Sequence, residues 1–526
     1  AENAGKANDS DQEGVVEIDF DDINQRVMAF PLQTGNYRNL LPYEESVLYI
    51  TDDGLHQYHI EKEKDEVLIS GARDAMLSSD KKKIFYSDGD TYGIVDVAPG
   101  QKSGDGALEL EDMEMKIDPR KEWNQIFTDG WRIFRDYFYV ANMHGVNWKG
   151  IHDKYAELLP HVSHRADLDY LLSEMVAESN AGHSYVNYGD FERVDRMETG
   201  LLGANLEADP QAERYKISKI YEGENWNDSR RSPLTEQGIN VKEGDYLIRI
   251  NGQNVTTNEN PYLYLENTVG ELVDITVNDR PEEEGARTYA IKPIDSELSL
   301  FYLDWVETRR KMVEELSDGR IGYIHVPNTS IQGNKELFRG MYAYHDKDAL
   351  IIDDRYNGGG FIPDVMVDLL DRETLAYWHR KGLEAMKSPA VAHDGPKAML
   401  INHYSSSGGD AFPYFFKKKD LGVLIGTRTW GGLVGISGNA SLVDGGYIAV
   451  PRFGIYNEEG EWIIEGVGVY PDIQVIDTPH LISKGQDPAI EKAVEVLLKK
   501  LEENPPEKVT PPDNPDRSEW IEKEIK

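Results

Sequence analysis

The sequence predicts a multi-domain α+β protein: a β-rich N-terminal module, a helical segment, a small β-domain and an α/β core. Three observations predict it. The chain has 526 residues, and at roughly 150 residues per domain that length supplies about three or four domains with ample core. Apolar residues make up 39% and aromatics 10%, too much for a mostly disordered chain. The texture also changes along the sequence, from period-2 alternation to helical spacing, back to short strands, and then to strands alternating with helices. The expected divisions are a disordered N-terminus (1–14), the β-rich module (15–100), the helical segment (119–190), the small β-domain (198–295), the α/β core (296–502) and a polar tail (503–526).

Residues 15 to 97 alternate apolar and polar positions between turn signals, as antiparallel strands do. Two stretches look alike, Val47-Leu48-Tyr49-Ile50-Thr51-Asp52-Asp53-Gly54 and Ile84-Phe85-Tyr86-Ser87-Asp88-Gly89, with their tyrosines 37 residues apart. That interval is close to the roughly 40–45 residues of a propeller blade. Two units are too few to close a propeller, which needs at least about four. The module therefore reads as propeller-like, the remnant of a larger β-domain.

After a polar link, Gln101 to Gly106, the residues Trp123, Ile126, Phe127, Trp131, Phe134 and Phe138 recur at steps of about 3 to 4, the apolar stripe of an amphipathic helix. A second helix is expected from Leu168 to Glu178. Short strands return from Gly200 to Ile294, with an Asn251-Gly252 hairpin turn after Tyr246–Ile250. From Leu300 to about Ile476 apolar strands alternate with helices. The strand candidates Ile321–Val326, Ala349–Asp353 and Ala398–Ile401 each run into Gly, Ser or Asn, where the ligand crevices of open α/β sheets form. A helix follows from Pro488 to Leu501, with Asp487 as N-cap.

Lys and Arg number 56 against 95 Asp and Glu, a formal charge of −39, which opposes a role built on nucleic-acid phosphates or anionic lipid. With no cysteine, disulfides, thiolate zinc sites and a cysteine nucleophile are excluded. No apolar run approaches the roughly 20 residues of a membrane span. His161 and His164 lack an acidic partner at zincin-like spacing, so no metal is expected. The chain opens on Ala1 with a polar stretch to Gly14, read as a processed or trimmed N-terminus; the compartment stays open between an exported bacterial (periplasmic) protein, toward which the reading leans, and a cytoplasmic one.

Four strings carry chemical interest. In Asp353-Asp354-Arg355-Tyr356-Asn357-Gly358-Gly359-Gly360, three glycines after a strand let backbone N–H groups approach an anion closely. No Gly-Lys-Ser/Thr follows, which speaks against a nucleotide loop. In Asn402-His403-Tyr404-Ser405-Ser406-Ser407-Gly408-Gly409-Asp410, a serine at a strand-to-helix turn has helix-start N–H groups beside it, which suits a nucleophile and its oxyanion. Pro413 argues for a helix capped by Asp410, placing the proline in the first turn. The last two are Ala181-Gly182-His183-Ser184-Tyr185 and Glu465-Gly466-Val467-Gly468-Val469-Tyr470-Pro471-Asp472. Serine, histidine, glutamate and a backbone anion site are the parts of an acyl-transfer centre.

In this order the motifs resemble the tail-specific, or C-terminal processing, serine protease superfamily, and within it the tricorn branch. The resemblance implies a crotonase-like α/β protease core with Ser407 as nucleophile, His183 as base, Glu465 behind the histidine, and the Gly408 and Gly360 amides as oxyanion hole. It implies no cofactor, peptide substrates and a homo-oligomer, a hexameric ring. The common branch has a lysine base where this chain has Gly432, in Thr429-Trp430-Gly431-Gly432-Leu433, so the histidine takes its place. Two positions depart from the tricorn pattern: Gly182 stands where a serine links histidine to glutamate, and Gly408 where there is an aspartate. Gly200-Leu201-Leu202-Gly203 and the Val241–Gly252 string resemble a PDZ domain, whose loop (Leu201, Leu202, Gly203) would receive a peptide carboxylate. The rival expectation is a catalytically silent peptide- or ligand-binding protein on the same fold.

Overall fold

The computed structural model describes residues 18–187, 189–191, 194–506 and 509–515. The expected disordered stretch 1–14 lies outside them, as does much of the polar tail. The chain divides into two compact units, residues 1–117 and 118–526.

In the first unit, strands Arg38–Tyr43, Ser46–Ile50, Gly54–His59 and Lys64–Ser70 form an antiparallel meander. Strands Asp74–Leu77, Lys83–Ser87 and Tyr92–Asp96 form a second antiparallel sheet. Leu48, Ile50, Leu55, Leu68, Ile69, Ile84 and Tyr86 pack between them. Both tyrosines of the sequence repeat are buried. Residues 18–37 were expected to be strand; they hold one short 3-10 turn, Ile23–Gln25, and leave Phe20, Val27 and Met28 exposed. Alternation alone does not make a strand where no neighbouring strand pairs with it.

The second unit begins with three helices, α1 (Pro119–Tyr137), α2 (Trp148–Ala156) and α3 (Arg165–Ala177). The aromatic stripe of α1 meets Leu168, Leu172 and Met175 of α3 in one core. His164 is the N-cap of α3, its Nδ1 accepting from the Ala166 N–H at 3.1 Å. An antiparallel sheet follows, Ala204–Asp209, Arg214–Ile220, Tyr246–Ile250, Val273–Asn278 and Arg287–Ile291. Asn251 and Gly252 both take positive φ (47° and 75°), which closes the expected hairpin onto Gln253–Asn254.

The core that positions the site is a five-stranded parallel sheet, Ile321–His325, Ala349–Asp353, Lys397–Ile401, Gly422–Gly426 and Ile473–Gln474, in chain order. The first three strands are buried on both faces, so they read as continuous apolar runs. Ile324, Ile352, Met399 and Ile401 face α5 (Ile331–Ala343), α6 (Pro363–Leu370) and α7 (Gly408–Lys418). Tyr323, Ile351, Ala398 and Leu400 face α4 (Leu298–Leu316) and the final helix (Pro488–Glu503). No helix among the described residues is long and apolar enough to cross a membrane.

Candidate active site

The parallel strands end together, and the loops that leave their carboxyl ends converge. Strand Ala349–Asp353 runs into the triple-glycine loop. Its first residues are locked from below: Arg355, 2% exposed, forks onto Asp353 and Asp487 and also meets Asp477. Asp354 is wholly buried, and burial raises its pKa well above the ordinary carboxyl value. One of its oxygens accepts from the Asn357 side-chain amide at 2.8 Å. Asn357 in turn accepts from Gly359 N–H (2.8 Å) and Ser406 N–H (2.9 Å). The glycine loop is thereby stitched to the serine turn. Gly359 and Gly360 take φ of 84° and 147°, which only glycine adopts without strain.

Ser407 is the N-cap of α7 and holds φ 56° and ψ −116°, a sparsely populated region that costs about 1–3 kcal/mol for a residue with a side chain. The same compression marks strand-to-helix turns that present a nucleophilic serine. The helix starts at Gly408, so the expectation that Asp410 is the N-cap is corrected: Pro413 lies inside the helix. Asp410 acts instead as the third residue of the helix and reaches back, accepting from Ser407 N–H at 2.8 Å. The other carboxylate oxygen accepts from Thr429 Oγ1 and from Gly431 N–H (2.7 Å). This buried side chain joins the serine turn to the Thr429–Leu433 loop.

Gly408 and Gly360 lie against one another, and a Cβ on Gly408 would collide with Thr329 Oγ1 and Gly360 O. An aspartate at 408 has no room here. Among the described residues, neither the Gly408 nor the Gly360 N–H has an acceptor. Two such donors beside a strained serine are the arrangement that a developing oxyanion requires.

The histidine comes from the end of the helical segment. Strand Tyr185–Asn187 pairs antiparallel with Tyr447–Ala449, and buried Arg165 of α3 pairs with Asp169 and, at 2.5 Å, with Asp444. These contacts fasten the loop at 180–184 to the core. His183, with φ 57°, sets its ring edge-on to Trp430 (5.4 Å) and Tyr185 (5.9 Å). Burial lowers its pKa below the ordinary histidine value, which keeps the imidazole neutral and able to accept a proton. Gly182 N–H donates to Glu465 Oε1 at 2.7 Å, bridging residues 283 apart. Glu465 Oε2 is buried without a partner among the described residues, and burial raises its pKa while the Gly182 and Leu433 N–H groups oppose the rise. The His183 ring makes no hydrogen bond to Ser407 or Glu465 among the described residues.

A Cβ on Gly432 would collide with the Trp430 ring, so a lysine at that position has no space. At the PDZ-like loop, Leu202 is buried, Leu201 bridges to Ile294, and the Gly203 N–H is engaged by Glu297. Three contributors had no local signal in the sequence: Thr329, whose buried hydroxyl faces Gly408, Asp354 behind Asn357, and Asp410 as a bridge. Each acts through a contact made only in the fold.

Comparison with known proteins gives a consistent picture. The sequence matches the tricorn protease C1 domain over residues 119–177, the tricorn protease PDZ domain over 200–296, and peptidase family S41 over 320–475. A tricorn protease homolog of Saccharolobus solfataricus is 31% identical over 517 residues, spanning 94% of this chain and 47% of the relative. Tricorn protease homolog 1 of Streptomyces coelicolor is 30% identical over 530 residues, 95% and 48% of the two chains. The crystal structure of the tricorn protease superposes with a TM-score of 0.81 at 27% identity, covering 91% of this chain and 48% of that one. The chain thus spans about half the length of these relatives. The resemblance read from the motifs is borne out.

Proposed function

We propose that this chain, which matches tricorn protease domains and peptidase family S41, is a tricorn-type serine peptidase that hydrolyses oligopeptides through an acyl-enzyme. Ser407 Oγ attacks the scissile carbonyl carbon while His183 takes its proton. The carbonyl oxygen becomes an oxyanion on the Gly408 and Gly360 N–H groups, each such donor being worth about 3–4 kcal/mol of barrier. His183 returns the proton to the departing amine, and water then releases the acyl group by the reverse sequence. Glu465 holds the histidine loop through Gly182 N–H and places negative charge behind the imidazolium. The observation that carries this reading is the strained turn at Ser407, flanked by two N–H donors without acceptors among the described residues. The finer architecture is proposed with it: a crotonase-like core, with residues 15–100 as the remnant of a propeller, supported by the four-stranded meander at Arg38–Ser70. The homo-oligomeric ring implied by the resemblance is part of the same proposal, and sedimentation mass measures it.

The test is digestion of a mixed peptide pool by the unaltered protein and by Ser407→Ala, read by mass spectrometry. Cleavage is expected to fall by about three orders of magnitude or more in the variant, with an unchanged thermal melt. Undiminished cleavage removes Ser407 from the mechanism. If neither protein cuts, the silent binding protein becomes the better reading.

A further inference from the structure

The PDZ-like loop Gly200–Gly203 leads into strand Ala204–Asp209, an edge strand that among the described residues pairs only with Arg214–Ile220. In sites of this kind, successive backbone N–H groups of the loop capture a peptide's terminal carboxylate. Here two of those donors are already engaged. Gly203 N–H donates to Glu297 Oε1 at 2.7 Å, and Ala204 N–H donates to the same oxygen at 3.2 Å. Three residues before the glutamate, Ile294 exchanges two backbone hydrogen bonds with Leu201, at 2.8 and 3.0 Å. The segment Ile294–Glu297 therefore runs antiparallel to the loop and ends with a carboxylate on its amides, as a bound peptide terminus would.

The contact is more than one side chain. Glu297 precedes α4, and Glu297, Leu300, Phe301 and Asp304 fall on one face at the i, i+3, i+4, i+7 spacing. Leu300 is fully buried and lies 3.1 Å from the point a Cβ on Gly203 would occupy. Phe301 meets Tyr221 edge-on at 4.7 Å, and Asp304 pairs with Lys219 at 2.6 Å. The carboxylate is thus held on the loop by the docking of a whole helix face.

We propose that this loop is a carboxylate-binding site that the chain fills from within. Glu297 is its resident ligand, and a peptide with a free C-terminus enters only by displacing it. A tethered ligand acts at an effective concentration of about millimolar or above, so a peptide of modest affinity does not compete. The proposal rests on the peptidase reading only for the choice of peptide as ligand.

The experiment measures fluorescence anisotropy of a labelled hexapeptide ending in leucine, as free acid and as amide, against the full chain carrying Ser407→Ala. With Glu297 in place, free acid and amide are expected to bind alike, or not at all up to about 1 mM. Adding Glu297→Ala should let the free acid bind at least tenfold more tightly than the amide. A free-acid preference with Glu297 present overturns the proposal, and so does the lack of any preference once it is removed. If circular dichroism shows Glu297→Ala unfolded, Glu297→Ser is read in the same way. Because binding is measured without turnover, an unaltered protein that fails to cut peptides sinks the peptidase reading and leaves this result standing.

Discussion

His183 sits at a left-handed backbone position with its ring half-buried against Trp430, and burial holds its pKa below the ordinary 6.5. A general base must be neutral to take the serine proton. Activity is therefore expected to rise with pH along an acid limb whose midpoint lies below 6.5 and to be level through neutrality; kcat/KM from about pH 4 to 8 measures it. Glu465 accepts the Gly182 N–H, so Glu465→Ala leaves a buried donor unpaired and should cost about 1–3 kcal/mol of stability, read by urea unfolding. Asp410 serves the nucleophile differently. In Asp410→Asn one carboxylate oxygen becomes an N–H₂ group facing Ser407 N–H or the Thr429–Gly431 donors. The expected result is a fall in kcat of at least about tenfold with a smaller change in KM, because the turn is displaced while peptide binding elsewhere is untouched. Ser407, His183, Glu465, Gly408 and Gly360 were proposed from the order of four strings and their family resemblance, since the histidine and the glutamate carry little signal alone. Asp410 was visible only as a helix cap, and Thr329 and Asp354 not at all, since their parts depend on neighbours brought in by tertiary folding.

Among the elements, the triple-glycine loop and the final helix share one buried charge cluster. Arg355 forks onto Asp353 and Asp487, Asp487 also caps the helix by accepting from Ile490 N–H at 3.2 Å, and Arg309 of α4 approaches the same carboxylate at 3.3 Å. Removing the central cation leaves buried carboxylates facing each other. Arg355→Ala should therefore destabilise by about 3–5 kcal/mol in chemical unfolding. The helix cap and Pro488 were legible, as were the apolar strands, because burial on both faces writes a continuous run. The start of α7 was misread because Pro413 argues against a helix beginning at Gly408. Ser407 N–H donates to the Asp410 carboxylate and Asp410 N–H to Ser407 O, both at 2.8 Å, and together these outweigh the single donor the proline lacks. Helix α2 went unread: Trp148 and Tyr155 are its buried residues, too few for a stripe. The pairing of Leu201 with Ile294 lies between two segments of unremarkable composition.

For the molecule as a whole, the formal charge of −39 favours encounter with cationic peptides over anionic ones. Raising salt from about 0.05 to 0.5 M should lower kcat/KM for a lysine-rich peptide and raise it for a glutamate-rich one, since the Debye length shrinks several-fold. At the end of the first compact unit, residues 109–117 hold no helix or strand, and Met113 and Met115 are exposed. Limited proteolysis is expected to nick there first, giving fragments whose masses correspond to the two units. The change from β-rich to helical texture pointed to a division, but the link expected at Gln101–Gly106 lies inside the first unit, where Gln101–Lys102 pairs with Ile69–Ser70. One consequence concerns biosynthesis. The Gly182–Glu465 and Arg165–Asp444 bonds span 283 and 279 residues, so the segment carrying the base leaves the ribosome long before its partners. Until the later segment has emerged and folded back, the histidine has nothing to act with. On the proposed mechanism a half-made chain is inert toward its neighbours, because base and nucleophile meet only when the later segment is in place.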